Sequence, residues 1–521
     1  MILLDAEQSR ELDRISRDDY GVPSYSLMTR AGEAVAAALL ESFSDAASEV
    51  LVVAGKGNNG GDAMVAARRL IRGGIAVRAL LLGRKSELKG DAARACAEYL
   101  GCGGKPIEAR DEAEVSAAFG ERPTAIIDGI FGTGLNAEVN GGAHRAIELI
   151  NAAGVPVVAV DIASGVSADT GAIMGAAVRA SMTVTFGYAK FGHVSYPGAG
   201  YCGELKVADI GFASRAIEAI APRGRLLEAA DVRGLIAPRP RDSHKGNYGH
   251  PIIIAGGRGK SGAALLASRA ALRTGAGLVT AVVPESIQPI VAAGQAELMT
   301  EPIADRDGNF DATHAPRALS LLLAGKDAIV FGPGAGLNDG TRRLVEWLID
   351  DGCLKGRPLL IDADGLNALA EKGCQVVRGA RGPVVLTPHP GEAARLLNSS
   401  TAEINADRIS AARRLAELAR AFVVLKGAAS VIASPDGCVY VNSSGNPGMA
   451  TPGMGDALSG IIGALLAQKM RPLDAIALGV FLHGHAADRV AARRGGVGYL
   501  AGDVIEELPA ARAALGMRPL P

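Results

Sequence analysis

A chain of 521 residues is too long for one hydrophobic core and is expected to fold as two or more domains. Hydrophobic residues make up 48% but aromatics only 4%, with 68 glycines, a profile of Ala/Val/Ile/Leu-rich parallel sheets with glycine loops at the strand ends. The net charge of −1 gives no electrostatic footprint for nucleic acid or an anionic membrane, and no uncharged apolar run approaches membrane-spanning length.

Residues 6–20 read as a charged surface helix and Ser26–Phe43 as an alanine-rich amphipathic one. A short apolar strand, Val50–Ala54, then runs into Gly55-Lys56-Gly57-Asn58-Asn59-Gly60-Gly61-Asp62, and a helix pattern follows (Ala63, Val65, Ala66, Leu70). Strand, glycine turn and helix form the opening βα unit of a dinucleotide-type fold. The spacing is not Gly-x-Gly-x-x-Gly, so it is no NAD fingerprint by itself. Thr124–Asp128 leads to Gly129–Asn136, and Val155–Asp161 leads to Ile162-Ala163-Ser164-Gly165. Sites in parallel α/β sheets lie outside the carboxyl ends of the strands, so Asn59, Asp62, Asp128, Asp161 and Ser164 are candidates for one crevice. Each alone reads as a helix cap or turn former; three such strand ends in one domain favour a shared site. Oxygen-only groups suit a hard cation rather than zinc. Thr183–Gly187 and Gly203–Ile210 read as closing strands, and Lys190-Phe191-Gly192-His193 between them as a border of the site or a turn of the chain, the turn being preferred.

An Arg/Pro/Ala-rich stretch from Arg215 to Arg241, with Ala221-Pro222-Arg223-Gly224 and Ala237-Pro238-Arg239-Pro240, marks a boundary near 215–230. The second half restarts the alternation. Strands are expected at Pro251–Ala255, Leu278–Val283, Ala328–Phe331, Leu359–Ile361, Val384–Leu386 and Phe422–Leu425, with a helix over Ala263–Thr274. Their ends carry Gly332–Gly336, Asp362-Ala363-Asp364, Thr387-Pro388-His389-Pro390-Gly391-Glu392 and Lys426-Gly427-Ala428-Ala429-Ser430. His389, between two prolines, reads as a rigidly held binding residue; His483 and His485 read as structural. Lys426 reads as a phosphate contact rather than a snorkelling surface lysine. Last comes the run Gly445–Gly460, small residues leading to the single carboxylate Asp456 and then an apolar helix pattern from Ala457. Such a loop at a helix N-terminus is an anion site, and a carboxylate beside bound phosphate suggests a proton acceptor. The plainer alternative is a glycine loop with Asp456 as helix cap.

The six cysteines (Cys96, Cys102, Cys202, Cys353, Cys374, Cys438) have no metal-type or disulfide spacing and are expected as buried thiols. The opening Met1–Glu7 lacks the basic region and apolar core of a signal peptide, and a cytoplasmic location is expected.

Gly57–Asp62, Asp128–Asn136 and Asp161–Gly165 together resemble the NAD(P)H-hydrate epimerase family, a Rossmann-like α/β/α domain. The resemblance implies that Asn58, Asn59, Gly60, Gly61, Asp62, Gly132, Thr133, Gly134, Leu135, Asn136, Ala137, Glu138 and Asp161 line the site for a hydrated nicotinamide nucleotide. It also implies catalysis by Asp161 and a potassium ion (K+) held by Asn59, Asp128 and Ser164. Pro is frequent where this chain has Lys56. Thr387–Glu392, Lys426–Ser430 and Gly448–Asp456 resemble the ribokinase-like NAD(P)H-hydrate dehydratase domain. There the resemblance implies substrate contacts from Ala263, Gly334, His389 and Asp456, with Asp456 catalytic. Nucleotide contacts are implied from Lys426, Gly427, Ala428, Ala429, Ser430 and Gly455. Ser430, Pro452 and Met454 depart from the commoner residues, and Pro452 removes one N–H donor. The expected α/β architecture is therefore an epimerase domain over residues 1–220 followed by a dehydratase domain over 221–521. The expected activity is epimerisation of NADHX and NADPHX and dehydration of the S epimer with ADP as co-substrate and Mg2+, in a homo-oligomer. The competing expectation is a ribokinase-like vitamin or sugar kinase with a non-catalytic N-terminal nucleotide-binding module.

Overall fold

The computed structural model describes residues 1–235, 238–350 and 354–516; Cys353 and Ala237 lie outside the described residues. The chain divides into two compact units, Met1–Gly224 and the remainder from Arg225.

In the first unit seven parallel strands lie in the order Ile107–Ala109, Ala76–Leu82, Glu49–Ala54, Ala125–Gly129, Val157–Val160, Met182–Phe186, Glu204–Ala208. Strand residues alternate between the two faces, and both faces are apolar because helices cover both. Val50, Val52 and Ile127 pack with the helices Ser24–Phe43, Asn58–Arg72 and Gly90–Gly101. Leu51, Val53 and Ile126 pack with Glu112–Phe119 and Gly141–Ala152 on the other side. The alanine-rich helix Ser24–Phe43 turns Ala31, Gly32, Val35 and Ala36 into its own unit. A Cβ on Gly32 would lie 2.4 Å from the Asp62 carbonyl oxygen, so the small residues serve close packing onto Asn58–Arg72.

In the second unit seven parallel strands run Met299–Ile303, Thr280–Pro284, Pro251–Ile254, Ala328–Phe331, Leu359–Ile361, Val384–Leu386, Phe422–Leu425, extended by the antiparallel strands Val431–Ala433 and Val439–Asn442. One core joins the helices Ser261–Thr274, Met454–Ala467, Pro472–Arg494 and Ala501–Ala514 to the sheet. Contact between the first two is backbone-close: a Cβ on Gly460 would sit 2.0 Å from the Ala267 carbonyl oxygen. Among the cysteines, Cys96, Cys202 and Cys374 are buried. Cys102 and Cys438 are only half-buried, contrary to expectation, because the first caps the helix Gly90–Gly101 and the second sits in the turn before Val439. No helix among the described residues is long and apolar enough to cross a membrane.

Candidate active sites

In the first unit the helix begins at Asn58, a turn and a half before its apolar pattern, so Asn58–Asp62 are its first residues rather than a loop. Glycine permits this: a Cβ on Gly60 would lie 2.0 Å from the Gly55 carbonyl oxygen. The N-cap, Gly57, offers no side-chain bond, leaving first-turn N–H groups without a capping side chain. Gly132 closes on the same spot, since a Cβ there would meet Asn59 Oδ1 at 2.9 Å and Asp161 Oδ2 at 3.3 Å. Asn59 Nδ2 is buried without a hydrogen-bond partner. A buried amide N–H without a partner at a strand end marks a place for a ligand acceptor.

Asp161 follows the strand Val157–Val160 with φ +66°, in the left-handed region. Its Oδ1 accepts hydrogen bonds from Lys190 Nζ at 2.5 Å and Thr185 Oγ1 at 3.1 Å. Lys190 Nζ also donates to Thr185 Oγ1 at 2.8 Å. His193 Nδ1 accepts the Lys190 backbone N–H at 2.9 Å, so its Nε2 carries the proton and donates to the Asp161 carbonyl at 2.8 Å. Burial pushes the Asp161 carboxyl upward, but Lys190, His193 and Thr185 outweigh it and hold it below the usual range. His193 is driven down to about 4, by burial first and then by Lys190, and stays neutral. The turn expected at Lys190–His193 is thus a correction. A two-residue strand and one helical turn aim both side chains at Asp161. Asp62 is raised well above the carboxylate range by burial, then by the charges of Asp161 and Asp13. Asp13 lies on an exposed face of the helix Ala6–Asp18.

Asp128, wholly buried, accepts from Ser164 Oγ at 2.6 Å, Ser164 N at 2.9 Å and Ile130 N at 3.2 Å. Desolvation pushes it up to about 6 against those hydrogen bonds. Asp128 and Ser164 are therefore brought into direct contact, while the Asn59 side chain faces Gly132 and Asp161. Of the remaining expected substrate residues, Thr133 and Leu135 are half-buried beside Gly132, and Gly134, Asn136, Ala137 and Glu138 are exposed.

In the second unit Asp456 is the third residue of the helix Met454–Ala467, whose N-cap is Gly453 at φ +89°. The cap alternative for Asp456 fails, since glycine holds that place. Burial raises the Asp456 carboxyl to about 6, with Asp362 and Asp364 adding to the rise and Lys426 opposing it. Lys426 Nζ lies 2.6 Å from Asp362 Oδ1 and 3.9 Å from Glu392 Oε2. Burial opposes its charge, but Asp362 and Glu392 raise the ammonium above its ordinary range. Asp362, 1% exposed, also accepts from Ser459 Oγ at 2.7 Å. A Cβ on Gly455 would stand 3.3 Å from Lys426 Nζ, so a glycine keeps the space beside the ammonium open. Gly427 and Ser430 close their own turn, with Ser430 Oγ donating to the Gly427 carbonyl at 3.0 Å. Arg408, which sequence reasoning missed, braces that loop from the carbonyls of Leu425 and Ala428.

Gly334 and Ala263 meet: a Cβ on Gly334, at φ +64°, would be 2.8 Å from Ala263 Cβ. Beside them Lys260 Nζ contacts Asp364 Oδ2 at 3.0 Å, and Gly336 N donates to the same oxygen at 2.8 Å. His389 caps the helix Pro390–Leu397, its Nδ1 accepting from Gly391 N at 3.0 Å. Its ring stays half-exposed, and burial, Lys426 and Arg395 together lower its pKa. His483 is buried and His485 half-buried within Pro472–Arg494.

The sequence has its counterparts among known proteins. The family described as YjeF-related protein N-terminus matches residues 24–192, and that described as NAD(P)H-hydrate dehydratase matches residues 252–510. A bifunctional NAD(P)H-hydrate repair enzyme of Moorella thermoacetica is 41% identical over 98% of this chain and 96% of its own. Namesakes from Coxiella burnetii and Escherichia coli are 40% and 37% identical, over 97% and 96% of this chain and 98% and 92% of theirs. Among solved structures, an ADP/ATP-dependent NAD(P)H-hydrate dehydratase from Bacillus subtilis, co-crystallised with ATP and Mg2+, is 28% identical with a TM-score of 0.48, covering 56% of this chain and 98% of that one. By identity and coverage along both units, the chain belongs to the family of bifunctional NAD(P)H-hydrate repair enzymes.

Proposed function

We propose that the chain repairs hydrated nicotinamide dinucleotides at two separate sites. The first unit interconverts the R and S epimers of NADHX and NADPHX; the second dehydrates the S epimer at the expense of ADP. The kinase alternative loses its basis, because relatives that carry both halves are repair enzymes along nearly their whole length.

The observation that carries this reading is the inward-turned Lys426, clamped by Asp362 and Glu392 beside Gly455 and Asp456. Hydroxide is a poor leaving group, and phosphorylation of the hydroxyl removes that obstacle. Asp456 takes the hydroxyl proton as the terminal phosphoryl group of Mg2+-bound ADP moves to that oxygen, breaking the anhydride bond and releasing AMP. Lys426 and the first-turn N–H groups of the helix meet the charge that builds on the phosphoryl oxygens. The ester then leaves as phosphate, a ring proton is lost, and the double bond returns.

In the first unit the substrate carbon bearing the added hydroxyl must break and remake a bond to invert. Asp161 and Lys190 share a hydrogen bond of 2.5 Å and supply an acceptor and a donor. Lys190 protonates the hydroxyl, whose C–O bond breaks to release water and leave a planar iminium carbon. Water adds to the opposite face as Asp161 takes its proton, and that proton returns to Lys190 across the shared bond. Neutral His193 fixes the backbone of Asp161. Asn59, Asp128 and Ser164 suit a potassium ion. Asp128 is wholly buried, and its hydrogen bonds come from Ser164 and Ile130 rather than from a lysine or arginine. Bound there, the ion would supply the missing positive charge.

Incubation with mixed NADHX epimers and either ADP or ATP, following NADH absorbance and phosphate release, tests the whole reading. ADP should yield AMP and phosphate; strong activity with ATP and none with ADP would overturn the nucleotide assignment. Assembly into a homo-oligomer in the cytoplasm belongs to the same reading, and a purely monomeric species in light scattering would refute the assembly.

A further inference from the structure

We propose that the first unit holds the adenosine half of its dinucleotide in a second compartment of the crevice, apart from the Asp161–Lys190 centre, and that Lys56 and Arg110 there favour the 2′-phosphorylated substrate. The inference rests on the epimerase reading and adds where the non-reacting half of the substrate goes.

A cleft of about 390 Å³ opens where four neighbouring strands end. Its wall includes Gly55, Leu82, Ala109 and Ile130, each the last residue of a strand or the one after it. That is the ligand edge of a parallel sheet, and the volume falls in the range of roughly 300–1,000 Å³ typical of small-molecule sites. The wall chemistry fits a nucleoside with a phosphate. Leu82, Ile130 and Phe131 offer apolar surface to a flat base. Lys56 and Arg110 stand at the rim. Lys56 is 3.6 Å from Glu87 and Arg110 is 3.3 Å from Glu114, with both cations more than half exposed. Exposed pairs of this kind are worth little and exchange readily for a phosphate. The helix Gly141–Ala152 starts on the cleft, and its N-cap, Asn140, makes no side-chain cap bond.

The cleft and the reacting centre share one partition. Phe131, in the cleft wall, donates its backbone N–H to Ser164 Oγ at 2.9 Å, and Gly132 beside it lies against Asn59 and Asp161. A dinucleotide with its hydrated ring at Asp161 straddles this loop at the glycine. Its pyrophosphate then crosses Gly132–Gly134 and its adenosine drops into the cleft.

The full chain is photolabelled with 8-azido-ADP-ribose, which lacks nicotinamide, and the labelled peptides are mapped by mass spectrometry. Label is expected on peptides containing Ala109–Arg110 or Phe131–Ala143, and is expected to be lost in Ala143→Trp, which fills the cleft from a half-buried helix position. Epimerisation kinetics supply the second readout. Ala143→Trp should raise KM about tenfold while kcat stays within about twofold, the signature of lost ground-state binding. Lys56→Ala and Arg110→Ala, both at exposed positions, should raise KM about threefold to tenfold for NADPHX and leave NADHX little changed. Label confined to other peptides, or KM unmoved in all three variants, overturns the proposal. A wild-type chain without epimerase activity would sink the epimerase reading alone, because the labelling map still decides whether adenosine occupies the cleft.

Discussion

Asp161 holds a left-handed backbone conformation that costs a non-glycine residue about 1–3 kcal/mol, and it does so between Lys190 and Thr185. Strain of that kind persists where surroundings over-determine the geometry, as the His193 bond to its carbonyl does here. The two proposed catalytic carboxylates are tuned in opposite directions. Lys190 keeps Asp161 ionised despite burial, whereas burial and neighbouring carboxylates bring Asp456 up to about 6. A general base works only when ionised, so the dehydration rate should fall as pH drops through about 6 and level off above it. A pH–rate profile flat through that region would remove Asp456 from the role. Replacing it by Asn keeps the size and loses the proton acceptor, at a cost of about 10²- to 10⁴-fold in dehydration rate, with nucleotide binding retained. Asp161→Asn should leave S-epimer dehydration intact. On mixed epimers its progress curve should plateau once the S fraction is consumed, while Asp456→Asn gives almost no signal. Near wild-type dehydration by Asp456→Asn, or no plateau for Asp161→Asn, would show the corresponding residue misassigned.

At the level of elements, the apolar strands of the second unit were legible nearly to the residue. Ala328–Phe331, Leu359–Ile361, Val384–Leu386 and Phe422–Leu425 are short Val/Ile/Leu-rich runs stopped by Gly, Asp, Thr or Lys. Helix starts were less legible. Asn58–Arg72 and Met454–Ala467 both begin before their apolar stripes, because first turns full of glycine and polar residues carry no periodicity. Site partners were legible when they ended a strand, as Asp128, Asp161 and Asp362 do. They were hidden when a distant element supplied them: Ser459 reaches Asp362 across 97 residues, and Lys190 arrives from a segment that reads as a turn. The early helix start in the first unit depends on glycine. Gly60→Ala places a methyl 2.0 Å from the Gly55 carbonyl oxygen. Overpacking of this sort costs about 1–3 kcal/mol. Thermal unfolding of the first unit should move to lower temperature and epimerisation should fall, with dehydration of the S epimer unchanged. An unshifted midpoint would mean that the loop yields without cost.

For the whole molecule, the buried carboxylates of the first unit set how its stability responds to pH and to potassium. Asp128 titrates near 6 when folded, against about 3.9 for an unfolded aspartate. Between those values folded Asp128 binds more protons than the unfolded residue, so its share of the stability declines as pH rises through the window and levels off above about 6. Asp62, raised in the same direction, adds to the decline. A cation at Asp128 acts against it, because potassium stabilises the ionised carboxylate and only the folded state assembles the site. The potassium-dependent rise in the unfolding midpoint of the first unit should therefore be larger above pH 6 than below it. Trp347, the only tryptophan in the chain, lies in the second unit and follows that unit separately by fluorescence. Its transition should ignore potassium. Asp128→Asn keeps hydrogen-bonding capacity without the charge, so it should flatten part of the pH slope and abolish the potassium increment, leaving the share due to Asp62. Thermal scans in potassium and in tetramethylammonium, on either side of pH 6, make the comparison. A midpoint that potassium leaves unmoved above pH 6, or raises equally in Asp128→Asn, would place the ion elsewhere than at Asn59, Asp128 and Ser164.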